Sequence, residues 1–154
     1  MVEKMKKSLL WCLVCLVCLI PCSGAALAAE ADAAQDAADG YVYDAAGLLT
    51  ADEISDLNDE IASFMEESGW NVYAVTTDDA QGKSATAYAD DFFDEHSTEQ
   101  EDGVVLLIDM DNREITISTC GIAIRYLTDS RIDNILDAAY AKISNGDYNG
   151  CMHS

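Results

Sequence analysis

The chain has 154 residues, half of them hydrophobic, with 29 acidic against 8 basic side chains and a formal charge of −21. So acidic a surface repels the phosphates of nucleic acids and anionic lipid headgroups and attracts cations, which excludes a nucleic-acid-binding role. The length allows one domain with a substantial core.

Lys4, Lys6 and Lys7 open the chain, an apolar run follows from Ser8 to Ile20, and Ala26-Leu27-Ala28 supplies small residues at alternate positions. This order predicts a secretory signal peptide over residues 1–28, cleaved so that the mature chain begins at Ala29 or Glu30. The apolar run is short for a membrane span, which needs about 20 residues. Cys12, Cys15, Cys18 and Cys22 reproduce the ligand spacing of a bacterial ferredoxin. The residues between them are Leu, Val, Ile and Pro21, so they read as apolar filler of the leader and not as a cluster site. A second exported reading takes Leu19-Ile20-Pro21-Cys22 as a lipobox, with a lipid anchor on Cys22. Loss of Glu3, Lys4, Lys6 and Lys7 from the 29 acidic and 8 basic residues leaves 28 and 5, a formal charge of −23. Residues 29–40 have little to bury and are expected to form a flexible acidic spacer.

Tyr41-Val42-Tyr43 is β-prone and ends at Asp44. Thr50 with Glu53 forms a capping box, after which Ile54, Leu57, Ile61, Phe64 and Met65 recur at helical spacing until Gly69 stops the helix. The β-branched and aromatic stretch 70–77 predicts a strand. Ser84 to His96 predicts a second helix with Tyr88, Phe92 and Phe93 inward. "VVLLID" (104–109) is apolar on both faces, which suits a central strand with Leu106 in the core. Asp111-Asn112 turns the chain into a strand from Glu114 to Ser118. Thr128 or Asp129 caps a last helix that buries Ile132, Ile135, Leu136, Ala139, Tyr140 and Ile143 and ends at Gly146. The order β-α-β-α-β-β-α predicts an α/β fold, with helices covering a mixed sheet.

"VYDAAGLLT" (42–50), "NVYAVTTDD" (71–79), "EDGVVLLIDMDNREITIST" (101–119), "CGIAIRYLTD" (120–129) and "NGDY" (145–148), taken in order, resemble the TPM domain of exported bacterial envelope and thylakoid-lumen proteins. The resemblance spans residues 41–150 and implies a three-layer α/β/α sandwich with a central mixed β-sheet. It also implies calcium binding, or the weak phosphatase activity described for a plant relative. The chain departs from the family pattern in having Gly121-Ile122-Ala123 where many members have Gly-x-Gly. It also stops soon after Asp147-Tyr148, so a truncated C-terminal end, and a missing membrane-associated segment, are expectations of the resemblance.

The chemistry follows from what the chain offers. Its two histidines, His96 and His153, fall at a helix end and in the tail, which disfavours a Ser–His or Cys–His site. Asp109-Met110-Asp111-Asn112 starts like a calcium loop, but Arg113 and Glu114 stand where an EF-hand needs an oxygen ligand and Gly, so it reads as a hairpin turn. Asp44, Asp102 and Asp129 lie in family-like stretches where the chain enters or leaves regular structure; these are the metal-ligand candidates, with calcium as the ion. Helix capping and solvation are the competing roles for the same carboxylates. Cys120 and Cys151 could form one disulfide after export. The leading expectation is an exported, non-catalytic module that binds calcium or a protein partner at the cell envelope; the alternative is a metal-assisted phosphatase.

Overall fold

The computed structural model describes residues 40–97 and 101–154. The predicted leader, Cys22 and all of the predicted spacer except Gly40 lie outside the described residues. Four strands form one mixed sheet in the order β1 (Val42–Asp44), β2 (Asn71–Thr77), β3 (Gly103–Asp109), β4 (Glu114–Cys120). β1, β2 and β3 run parallel, and β4 returns antiparallel along β3 with Asp109 opposite Glu114. Asp109–Asn112 therefore belongs to a hairpin, as its sequence predicts.

Helices α1 (Ala51–Ser68), α4 (Asp129–Ile143) and the short α5 (Tyr148–Met152) cover one face of the sheet. Leu57, Ile61, Ala139, Cys151 and Met152 meet Val42, Ala74, Ile108 and Ile115 there. Helix α2 (Ala85–His96) covers the other face, where Ala85, Ala89, Phe92 and Phe93 pack on Tyr73, Val75, Val105 and Leu107. Three layers result. One residue of shift along a strand changes the layer it feeds, because successive side chains point to opposite faces.

Local chemistry starts and stops the helices. Thr50 accepts the Glu53 backbone N–H at 3.4 Å, while the Glu53 carboxylate takes the Thr50 N–H and hydroxyl, each at 2.8 Å. Thr50→Ala is expected to lower stability by about 1 kcal/mol in urea unfolding, the usual cost of a lost N-cap. These bonds hold the Glu53 carboxyl below its ordinary value of 4.5. The carboxylate half of the box is therefore present above that value and lost as pH falls through the lower folded one. Gly69 ends α1 at φ 73°, a left-handed conformation that costs glycine nothing, with its N–H on the Met65 carbonyl at 2.9 Å. Ser84 caps α2 through the Ala87 N–H. Thr128 is the N-cap of α4 by position, although its side chain makes no capping bond.

Several expectations are corrected. A one-turn helix α3 (Ala123–Tyr126) intervenes between β4 and α4, and α5 follows Asp147. The inner face of α4 is only half covered: of its apolar residues Ala139 alone is fully buried, and Tyr140 is 42% exposed. Phe64, expected inside, is 46% exposed, and Leu106 is only partly covered.

Candidate functional site

The C-terminal ends of the parallel strands share one edge of the sheet, the place where open α/β sheets gather ligands. Asp44 closes β1 there. Its Oδ1 accepts the Leu48 N–H at 3.0 Å and the Thr76 hydroxyl, and its Oδ2 accepts the Leu49 N–H at 2.9 Å. Thr76 stands opposite Asp44 in the β1–β2 register, and its Oγ1 accepts the Ala46 N–H at 3.1 Å. A carboxylate and a hydroxyl thus hold the loop that leads into α1.

The next two strand ends are stitched to each other. Asp79, after β2, accepts the Gln81 N–H at 2.8 Å, and Asp111, in the hairpin, accepts the Ala80 N–H at 3.3 Å. Asp109 ends β3 and is 1% exposed. Its carboxylate accepts the backbone N–H of Asn112 at 2.9 Å and the side-chain N–H at 2.7 Å. Asn112 Nδ2 also reaches the Lys83 carbonyl at 3.0 Å. Arg113 completes the turn at φ 57°.

Asp102 and Asp129 are elsewhere. Asp102 immediately precedes β3, and its Oδ1 accepts the Ile122 N–H at 2.6 Å. Its carbonyl accepts the Asn71 N–H at 2.8 Å. Gly121 sits beneath that carboxylate at φ 63°, where any Cβ would lie 2.0 Å from Asp102 Oδ1. Asp129 is exposed in the first turn of α4, reached from the end of β4 through α3, where its charge suits the helix N-terminus. The length of β3, about 20 Å at roughly 3.3 Å per residue, separates the edge of Asp44 from that of Asp102. One ion bound by Asp44 is therefore not also bound by Asp102.

The donors at the Asp44 edge are oxygens throughout, which suits calcium and not zinc. Asp44 uses three of the roughly four lone-pair positions a carboxylate offers. It has room for one further contact. Among the described residues, no three His, Cys, Asp or Glu side chains converge as a metal group. A calcium ion here would be held by one or two carboxylates, with carbonyl and water oxygens completing its shell.

Nucleophilic chemistry finds little to use. His96 stacks on Phe92 at 3.9 Å between centroids, with Nδ1 2.8 Å from the Phe92 carbonyl. His153 pairs with Glu60 at 2.7 Å. Among the described residues, neither hydrogen-bonds a serine, threonine or cysteine. Cys151 is fully buried, and desolvation, with a smaller contribution from Asp147, pushes its thiol up to about 11. Such a thiol is a poor nucleophile. Cys151 packs in the α1–α4 layer and Cys120 against the α2 layer, so the sheet lies between them; both are free, and the bridge that the sequence left open is not formed.

The model of the TPM domain matches residues 42–154. The chain belongs to the TPM domain family. Within the family, it is 32% identical to the UPF0603 protein YdjH of Bacillus subtilis over 108 residues, which is 70% of this chain and 42% of that protein. The chain thus spans less than half the length of that relative. The TPM fold recurs in the N-terminal domain of a P. gingivalis protein, at TM-score 0.66 and 20% identity over 75% of this chain and 78% of that one. The N-terminal domain of the cg2496 protein from Corynebacterium glutamicum matches at 0.57 and 16% identity, covering 84% and 80% of the two chains. The BA42 protein of Bizionia argentinensis matches at 0.54 and 17%, covering 68% and 73%. At these identities the likeness establishes the fold alone.

Of the three candidate carboxylates in this TPM domain, Asp44 lies at the C-terminal edge of the parallel strands, an edge that Thr76, Asp79, Asp109 and Asp111 share. The sequence reading set Asp109 aside as part of a hairpin turn. The available signal was a carboxylate ending a strand buried on both faces, where a charge must be hydrogen-bonded to be tolerated.

Proposed function

We propose that this TPM domain is an exported, non-catalytic module of the cell envelope that takes a calcium ion at the edge holding Asp44, Asp79, Asp109 and Asp111. One observation supports the reading: the loops after β1, β2 and β3 each bring carboxylates to the same edge of the sheet, Asp44 bonded to β2 through the Thr76 hydroxyl and the loops after β2 and β3 joined by the Ala80 N–H on Asp111. Fixed oxygen donors on adjoining loops suit calcium, which takes six to eight oxygens in flexible geometry. The excess of acidic side chains favours cation capture over anion capture.

The test is the melting temperature of the full chain with calcium or magnesium, ionic strength being held constant with a monovalent salt. A ligand that binds only the folded state at 100 times its Kd stabilises by about 2.7 kcal/mol, which shifts the transition by several degrees in a domain of this size. Calcium should give that shift and magnesium much less, because magnesium dehydrates reluctantly. Asp111→Asn, which removes charge but little packing, should lose most of the calcium shift, whereas Asp102→Asn and Asp129→Asn should keep it. Equal shifts with both metals, or loss confined to Asp102→Asn or Asp129→Asn, would remove the site from this edge. Metal-dependent hydrolysis of a phosphate monoester, abolished by Asp111→Asn, would replace the non-catalytic reading with that of a phosphatase.

A further inference from the structure

The two outer strands of the sheet are built differently. β1 is three residues long, whereas β4, at the other side, runs for seven, Glu114–Cys120. An outer strand presents a row of backbone N–H and C=O groups, which proteins blunt with short length, lysine, proline or a bulge. From Ile115 to Cys120 there is no charged residue and no proline, and the pairing with β3 is continuous from Asp109–Glu114 to Gly103–Cys120. Two hydrogen bonds show which residues of β4 face outward. Met110, just past β3, gives its N–H to the Thr77 carbonyl of β2 at 2.8 Å, so Ile108, Leu106 and Val104, at alternate positions, turn their backbone groups to β2 as well. Opposite them in β4 stand Ile115, Ile117 and Thr119, whose backbone groups therefore point away from β3. Ile115 agrees, because its N–H reaches Tyr140 Oη at 3.4 Å. Among the described residues, the outward N–H and C=O groups of Ile117 and Thr119 have no partner.

We infer that the outer side of β4, at Ile117 and Thr119, is a docking site for a basic extended segment of a protein partner, which adds to the sheet as a further strand. The kind of element follows from the open groups: donors and acceptors in series along a strand are matched by another extended chain. The charge follows from the helices on either side. α2 rests on β3 and β4, and its Asp90 accepts the Ser118 hydroxyl. Asp94, also exposed, lies one turn further along the same side of α2. α4 reaches β4 at Tyr140, and the exposed Asp137 and Asp133 precede Tyr140 by about one and two turns, on the same side of the helix. The basic side chains of α4 are engaged elsewhere: Arg131 donates to the Tyr126 carbonyl at 2.6 Å, and Lys142 pairs with Asp147 at 3.6 Å. An added strand points successive side chains to the α2 layer and the α4 layer in turn, so Lys or Arg on either face meets carboxylates. A second copy of this chain, pairing through its own β4, would set Asp90, Asp133 and Asp137 of two strongly acidic molecules against each other. Both flanking helices are internal to the sequence, and the closing residues pack toward α1, where His153 pairs with Glu60. The inference is independent of the calcium reading, since it uses the side of the sheet and none of the carboxylates at the strand ends.

The probe is a labelled peptide of alternating Val and Lys, about nine residues or roughly 30 Å when extended. It is titrated into the full chain by fluorescence anisotropy beside two controls. One carries N-methyl groups along its centre, which removes backbone donors and keeps the side chains and charge; the other has Glu in place of Lys. The Val/Lys peptide should bind about tenfold more tightly than its N-methylated form, and the Val/Glu peptide should not bind. Amide hydrogen exchange at Ile117 and Thr119 should slow when the Val/Lys peptide is present. Thr119→Pro removes one outward N–H, and an outer strand tolerates proline where that N–H faces solvent. It should weaken the Val/Lys peptide about tenfold. If this variant loses its circular-dichroism melt, the exchange measurement on the unaltered chain carries the test. Asp133→Asn with Asp137→Asn should weaken binding and flatten its dependence on salt. Failure of the Val/Lys peptide to bind, equal binding of the N-methylated peptide, or binding that leaves exchange at Ile117 and Thr119 unchanged would each overturn the inference. So would a chain that self-associates in sedimentation with those two amides protected before any peptide is added.

Discussion

Leu107→Ala should destabilise the domain by about 3–4 kcal/mol in urea unfolding, the range for a fully buried leucine whose surroundings cannot close the cavity. Leu107 has no solvent exposure and lies in β3, with β2 and β4 hydrogen-bonded on either side. Above it α2 approaches on Ala85 and Ala89, both fully buried. Small residues at a helix–sheet contact leave no long side chain to swing into a vacancy. Leu106→Ala, one position away, should cost less than half as much, because its side chain lies on the other face of β3 and already keeps part of its surface in water. Equal losses at the two positions would show that both faces of β3 are covered alike.

That contrast marks the limit of what "VVLLID" carries. A run of apolar residues identifies a strand with no polar face, and β3 is one of the two central strands of the sheet, parallel to β2 and antiparallel to β4. It does not say whether the layers above are complete. The same holds for Phe64 on α1 and Tyr140 on α4: helical periodicity shows which side of a helix is apolar, whereas exposure depends on what the rest of the chain brings to that side. Features with local causes were legible. Thr50 and Glu53 satisfy each other's backbone donors within one turn, and Gly69 adopts φ > 0 within its own peptide unit. α3 has no such cause; Gly121 and the Asp102 carboxylate, brought alongside by the pairing of the start of β3 with the end of β4, shape its entry.

The candidate site divides in the same way. Asp44 was legible because it ends a short β-prone stretch before a helix cap, a place where an aspartate gathers backbone donors. Asp102 and Asp129 belong to the opposite end of the sheet, as the sequence implies once β2 and β3 are taken as parallel and the hairpin after Asp109 as reversing the chain. Asp109 was hidden by its neighbours. It closes an apolar run and opens a turn, and only the fold shows that its carboxylate is buried and doubly bonded by Asn112.

Asp44→Ala should cost about 3 kcal/mol with calcium chelated, so that the loss reports the apo fold and not a missing ion. Three donors lose their acceptor together: the Leu48 and Leu49 N–H groups and the Thr76 hydroxyl. Each donor left without a partner in a partly buried setting costs about 1–3 kcal/mol, less where water can replace the carboxylate. Thr76 is 1% exposed, so its hydroxyl has little access to water. Leu48 and Leu49 pack against the α1–α4 core, so freeing their backbone also loosens apolar contacts at the entry to α1. Asp44→Asn is the discriminating variant. Its amide oxygen can still accept at the Oδ1 position from Leu48 and Thr76, but its NH2 group then faces the Leu49 N–H, donor against donor. It should therefore cost roughly half as much as alanine, about 1–2 kcal/mol. Hydrogen exchange at Leu48 and Leu49 should rise in both variants, and in the asparagine variant more at Leu49 than at Leu48. A loss below about 1 kcal/mol in Asp44→Ala, with both amides still protected, would mean that the loop is held by its apolar contacts alone. The carboxylate would then be free to serve a ligand without first serving the fold.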